Sequence, residues 1–142
     1  EKTYTSDFPR NLDVAILNAY PKDTELLQSE NAFIAYRSAD SLVKENGVVI
    51  LTAACSRGIG SHGLFGPGMP LYHPPRPYRF LGNRHLIVFA PGATKEEFHS
   101  LFWEKYSFHR QWEYVIDELR GRYPHSCDVG IIPYASLQMS RG

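Results

Sequence analysis

Apolar residues along this chain gather into short unbroken runs, and between them apolar positions recur three and four residues apart. The runs are 12–18 (LDVAILN), 47–54 (GVVILTAA), 84–90 (RHLIVFA) and 128–132 (DVGII). They are too short for buried helices and rich in β-branched residues, so each predicts a strand. The absence of alternation predicts strands covered on both faces, as in parallel sheets. Between the first two runs, Leu27, Ile34 and Leu42, with Phe33, Ala35 and Ala39, predict a helix over about 24–45 with one buried face. Asp23 is placed to cap it and Glu25 to face its positive end; Asn46 or Gly47 is suited to the left-handed position that closes it. Thr94-Lys-Glu-Glu97 has the form of a capping box and starts a helix running to about Trp103. A further helix, about 109–121, carries Trp112, Val115, Ile116 and Leu119 on one face, and Gly121 and Pro124 end it.

Strands alternating with helices define an α/β fold: a small Rossmann-like three-layer sandwich with a mainly parallel sheet of about four strands. Residues 1–11 read as a linker or tail, and 12–142 as a single domain. In a parallel sheet the segments Asn18–Asp23, Cys55–Gly68, Pro91–Thr94 and Pro133–Gln138 all leave the carboxyl edge. The start of helix 109–121 belongs there too, and helix 94–103 is expected across the top. Open α/β sheets bind ligands at that edge. Gln28 and Asn31, about one turn apart near the helix start, and Trp112, near the start of its own helix, are therefore expected on one side of the molecule.

Charge and composition narrow the function. Fifteen basic residues balance fifteen acidic ones, which removes the electrostatic argument for nucleic acid or a membrane surface. No apolar run approaches the roughly 18 residues of a spanning helix, and no signal peptide is recognisable. Glu1 opens the chain without a methionine, and we expect a piece of a longer polypeptide. Cys55 and Cys127 read as free thiols, which points to the cytoplasm.

Gly58-Ile-Gly-Ser-His-Gly63 matches the letters of the dinucleotide fingerprint G-x-G-x-x-G. That motif works because it opens into a helix whose amino end holds a pyrophosphate. Here Leu-Phe-Gly-Pro-Gly-Met-Pro follows, which is no helix, and no acidic residue lies in Arg79–Asn83. A glycine loop over a cleft is the better reading, with His62 inside it. The six histidines are scattered without the short spacing of a zinc site, and no residue beside Cys55 is an evident base. On these residues alone, Gln28 and Asn31 could be an ordinary polar helix face, His62 a solvated loop histidine and Trp112 a core residue.

The stretch Asp13-Val-Ala-Ile-Leu-Asn-Ala-Tyr-Pro-Lys-Asp-Thr-Glu-Leu-Leu-Gln28 resembles the opening of the C-terminal domain of the nickel-dependent lactate racemase family. There a hydrophobic strand runs through a tyrosine–proline turn into a helix bearing glutamine and, three residues on, lysine. Gly60-Ser-His-Gly63 is similar to the family's glycine loop, and Gln111-Trp112 to its tryptophan ahead of the final strand. The resemblance spans about 12–135. It implies the C-terminal half of a two-domain isomerase whose interdomain cleft holds a nickel-pincer nucleotide and a 2-hydroxy acid, racemised or epimerised by hydride transfer. The cofactor-tethering lysine, the nickel-binding histidine and the acid–base histidines would belong to the N-terminal domain, the expected partner. This chain by itself is expected to have no catalytic residues, no cofactor and no metal. Residue by residue, Gln28 matches the helix glutamine and Trp112 the tryptophan, while the lysine position falls on Asn31. Gln28, Asn31, His62, Trp112, Tyr20 and Lys22 are the substrate- or cofactor-binding residues so implied. The alternative class is a non-catalytic α/β ligand-binding or interaction module using the same sheet edge.

Overall fold

A computed structural model describes residues 4–39, 41–60, 68–70, 72 and 74–141. Its strands in chain order are β1 (Tyr4–Ser6), β2 (Leu12–Asn18), β3 (Val43–Thr52), β4 (His85–Phe89), β5 (Ser107–His109), β6 (Val129–Ile132) and β7 (Gln138–Ser140). The helices are α1 (Leu26–Ser29), α2 (Phe33–Ser38), α3 (Lys95–Leu101) and α4 (Trp112–Arg122). A five-stranded sheet runs β5-β4-β3-β2-β6 with every pair parallel, so the expected α/β sandwich is present with one more strand than the apolar runs predicted. A second, two-stranded sheet pairs β1 with β7 in parallel. Part of the segment read as a linker or tail is thus paired with the last strand.

Alternation along β2 to β4 divides the core into two faces. Ala15, Leu17, Val49, Leu51, Leu86 and Val88 meet Leu26, Phe33, Phe98 and Phe102 of the α1/α2 and α3 layer. Val14, Val48, Ile50 and Ile87 meet Val115 and Leu119 of α4. Helix α3 therefore packs on a face of the sheet and does not lie across its top, because Phe98 and Phe102 are fully apolar anchors that the sheet buries. On the α4 face the β6 side chains Val129 and Ile131 are exposed.

The helix expected over 24–45 is shorter and broken. Asp23 does not cap it; Glu25 occupies that position without capping the helix through its side chain, and the Leu26 and Leu27 N–H groups donate to the Gly58 and Ile59 carbonyls. The loop leaving β3 thus caps α1. A 3₁₀ turn, Glu30–Ala32, separates α1 from α2 where Ser29 Oγ and the Asn31 amide donate back to the Leu26 and Gln28 carbonyls (2.7 and 2.8 Å). Such back-bonding competes with the regular helix. Helix α2 ends at Ser38, and Leu42, periodic in sequence, belongs to the turn entering β3. Strand β3 starts at Val43, paired with Leu12, and resumes at Val48 opposite Val14. The intervening polar residues bulge out, with Lys44 Nζ 2.9 Å from Asp13 Oδ1 and Asn46 at positive φ.

The capping box of α3 is present: the Glu97 N–H donates to Thr94 Oγ1 (3.1 Å) and the Thr94 N–H to Glu97 Oε1 (2.8 Å). Thr94→Ala is expected to cost about 1–2 kcal/mol, read as a lower urea midpoint at unchanged slope; an unchanged midpoint would count against the cap. The helix expected from 109 begins at Trp112 instead, because Ser107–His109 is the edge strand β5. Trp112 is thus the first residue of α4.

Candidate functional site

Strands β2 to β5 follow one another across the sheet in one direction, and the chain then returns to place β6 on the other side of β2. The carboxyl ends of β2 and β6 are therefore the topological switch point, where open α/β sheets form their ligand crevice. The segment after β6 is locked over the end of β2: the Ala135 N–H donates to the Asn18 carbonyl (3.0 Å) and Ser136 Oγ to the Ala19 carbonyl (2.7 Å). Tyr20, followed by a cis bond to Pro21, and Tyr134 place their rings 6.0 Å apart, 52% and 50% exposed.

Across the α4 face, the last rung of the sheet reads His109, Phe89, Thr52, Asn18 from β5 to β2. Trp112, 37% exposed, meets Phe89 edge-on at 5.2 Å. Asn18 Oδ1 accepts the Tyr20 N–H (3.2 Å) and the Thr52 hydroxyl (3.4 Å). The Tyr20 N–H can only donate, so it fixes the amide orientation with Oδ1 towards it. Thr52 and Asn18 thus form a polar end to the rung beside Phe89 and Trp112, and the Tyr20–Tyr134 pair follows the ends of β2 and β6.

The residues singled out from sequence divide between two faces. Trp112 begins α4 beside Phe89 of this rung, Tyr20 lies in the turn after β2 with its N–H on Asn18 Oδ1, and the Lys22 N–H donates to the Ala19 carbonyl in the same turn (2.8 Å). Gln28, in α1, and Asn31, in the 3₁₀ turn, stand on the opposite face, in the layer that packs on Ala15 and Leu17. Both layers begin at the carboxyl edge. His62 lies outside the described residues. Asn18 and Thr52 were not singled out from sequence, although each is a polar residue closing an otherwise apolar strand at the expected ligand edge; nor was Tyr134, in the turn after β6.

Two anchors hold the rim. Glu97 Oε2 accepts the Ile59 N–H (2.8 Å), tying the base of the glycine loop to α3. Burial opposes its charge, but the Thr94 and Ile59 hydrogen bonds and the Arg110 charge hold its carboxyl below the usual range. Arg110 donates through Nε and Nη2 to the Pro91 carbonyl (3.2 and 3.1 Å). Cys55 and Cys127 are free thiols, and burial, with the Asp23 and Glu97 charges, pushes Cys55 up to about 12, so it is no nucleophile at neutral pH.

Among the described residues no group of three His, Cys, Asp or Glu side chains could hold a metal ion. No helix among the described residues is long and apolar enough to cross a membrane.

Comparison with known proteins finds the fold elsewhere. The lactate racemase apoprotein from Thermoanaerobacterium thermosaccharolyticum superposes with a TM-score of 0.63 at 18% sequence identity, over 99% of this chain and 37% of that one. The chain thus has the fold of part of a lactate racemase and spans little more than a third of its length. No protein-family model matches the sequence, and no curated protein matches it.

Proposed function

We propose that this chain is the C-terminal, Rossmann-like domain of a lactate-racemase-like isomerase acting on a 2-hydroxy acid. The observation that carries the reading is the superposition on lactate racemase over nearly the whole of this chain but 37% of that one. The sequence resemblance over 12–135 points the same way. The domain supplies one wall of an interdomain cleft, and the N-terminal domain of the same polypeptide is its partner. Gln28, Asn31, Tyr20, Lys22, Trp112 and His62 bind substrate or cofactor; the nickel-pincer nucleotide and the acid–base groups are held by the other domain. The exposed Val129 and Ile131 suit a domain that packs against more protein, and the free thiols suit the cytoplasm. Two closing domains exclude water and fix a small polar substrate, which this chemistry requires.

The test has two arms. The isolated chain, supplied with nickel, should neither racemise lactate nor retain stoichiometric metal. The full-length parent, produced with its cofactor, should interconvert the enantiomers or epimers of a 2-hydroxy acid. Turnover by the isolated chain would overturn the division of roles; a cofactor-loaded parent inert towards a panel of 2-hydroxy acids would overturn the reading itself.

A further inference from the structure

We infer that Asn18 is a specificity-determining hydrogen-bond donor of the ligand site, and that the site lies on the α4 side of the carboxyl edge with Tyr134 as one wall. The inference deepens the reading above and rests on it for the class of ligand, a small molecule bearing a 2-hydroxyl. Three observations meet here. Asn18 closes β2 at the switch point of the sheet, where the fold opens a crevice. Its Oδ1 is held by the Tyr20 N–H and the Thr52 hydroxyl, so the amide nitrogen is the side turned away from those two partners. An Asn amide nitrogen carries two donor hydrogens, and the Thr52 oxygen, its hydrogen directed to Asn18, keeps acceptor capacity. Donor beside acceptor is the complement of an alcohol, which gives one hydrogen bond and receives another.

The walls select for size. Trp112 stands on Phe89, next to Thr52 along the rung, and the Tyr20–Tyr134 pair stands past the ends of β2 and β6. The aromatic faces accept a short carbon chain while Asn18 and Thr52 read its hydroxyl. Sites built to hydrogen-bond a hydroxyl reject analogues without it far more strongly than apolar pockets reject an extra methylene, because the buried partners are left unpaired. This polar end of the rung is fixed by backbone: Ala135 and Ser136 bind the main chain of Asn18 and Ala19, so it does not depend on the ligand to form.

The experiment uses the isolated chain, isotopically labelled for NMR, titrated with lactate, with uncharged lactamide and with propionate, which lacks the hydroxyl. Lactate and lactamide should shift the Asn18 side-chain amide and the Tyr134 backbone resonance, with propionate at least tenfold weaker. Asn18→Asp keeps an oxygen acceptor for Tyr20 and Thr52 and removes the donor. It should leave the spectrum dispersed and weaken lactamide binding at least tenfold, a loss that charge repulsion of the probe does not explain. Tyr134→Ala, at an exposed position, should weaken both probes severalfold. Undiminished lactamide binding by Asn18→Asp, or lactate shifts confined to Gln28 and Asn31, would overturn the inference and leave the racemase reading standing. No shift with any hydroxylated probe would also overturn it, whereas the racemase reading is decided separately by the assay of the full-length parent.

Discussion

Gly92→Ala is expected to destabilise the domain by about 3 kcal/mol or more, the largest effect of any single methyl group considered. The turn leaving β4 runs against the chain leaving β3, and the Gly92 N–H donates to the Ala54 carbonyl at 2.9 Å. A Cβ at this position would collide with the Cys55 carbonyl oxygen and lie 2.7 Å from that of Ala54. Both obstacles are backbone, and neither can rotate aside. Cys55 is buried and already at positive φ, so the β3 exit has little room to move. The same substitution at Gly121, in the last turn of α4 with nothing within 4 Å of an added Cβ, should instead stabilise by about 0.5–1 kcal/mol. Urea unfolding of the two variants gives the comparison. A shared sign, or a Gly92→Ala midpoint within error of the parent, would show that the two exits are not packed as described.

That close approach was invisible in the sequence, where Pro91-Gly92 reads only as the stop of a strand. Strands β2 and β4 and the inner part of β3 were legible because each is a short apolar run covered on both faces, and β6 because it too is a short apolar run, although Val129 and Ile131 leave one of its faces exposed. Strand β5 was not. Its Ser107 and His109 side chains meet Glu118 of α4, so the edge carries no apolar period to read. Losing β5 to the following helix also displaced Trp112 from the first position of α4 to two or three residues into the expected helix. The first half of β3 was hidden by Lys44-Glu45-Asn46, a polar bulge that continues the helical spacing of Leu42. At the site, the carboxyl edge was legible from topology alone, and Tyr20 and Trp112 with it. Which face each helix takes was not, because that depends on strand order; Gln28 and Trp112 share an edge but belong to opposite layers.

Glu118→Gln should cost about 1–3 kcal/mol at neutral pH, with a dependence on pH that identifies the cause. Glu118 Oε1 is 2.8 Å from His109 Nε2, and Oε2 accepts the Ser107 hydroxyl (2.7 Å) and lies 3.2 Å from His85 Nε2. His85 Nε2 is in turn 2.7 Å from Ser107 Oγ. One carboxylate therefore fastens α4, whose first residue is Trp112, to β4 and β5. Burial raises the Glu118 carboxyl, but the His109 and Ser107 hydrogen bonds and the two histidine charges outweigh it, and its titration falls below the ordinary 4.5. Its contribution is fully present above that ordinary value and is lost as pH falls through the folded one. His85 is lowered from 6.5 by burial and by the Arg122 charge, against the pull of Glu118. The unfolded chain thus takes up that proton first, and stability falls as pH drops below 6.5. Glutamine at 118 removes the anion that favours His85 protonation, so the folded His85 titrates lower still. The cost of the substitution should therefore grow from pH 7.5 to about 5.5, then shrink below about 4 as the parent loses the carboxylate too. Unfolding free energies of both proteins at three pH values decide it: a cost independent of pH would mean that the network holds α4 by shape and not by charge.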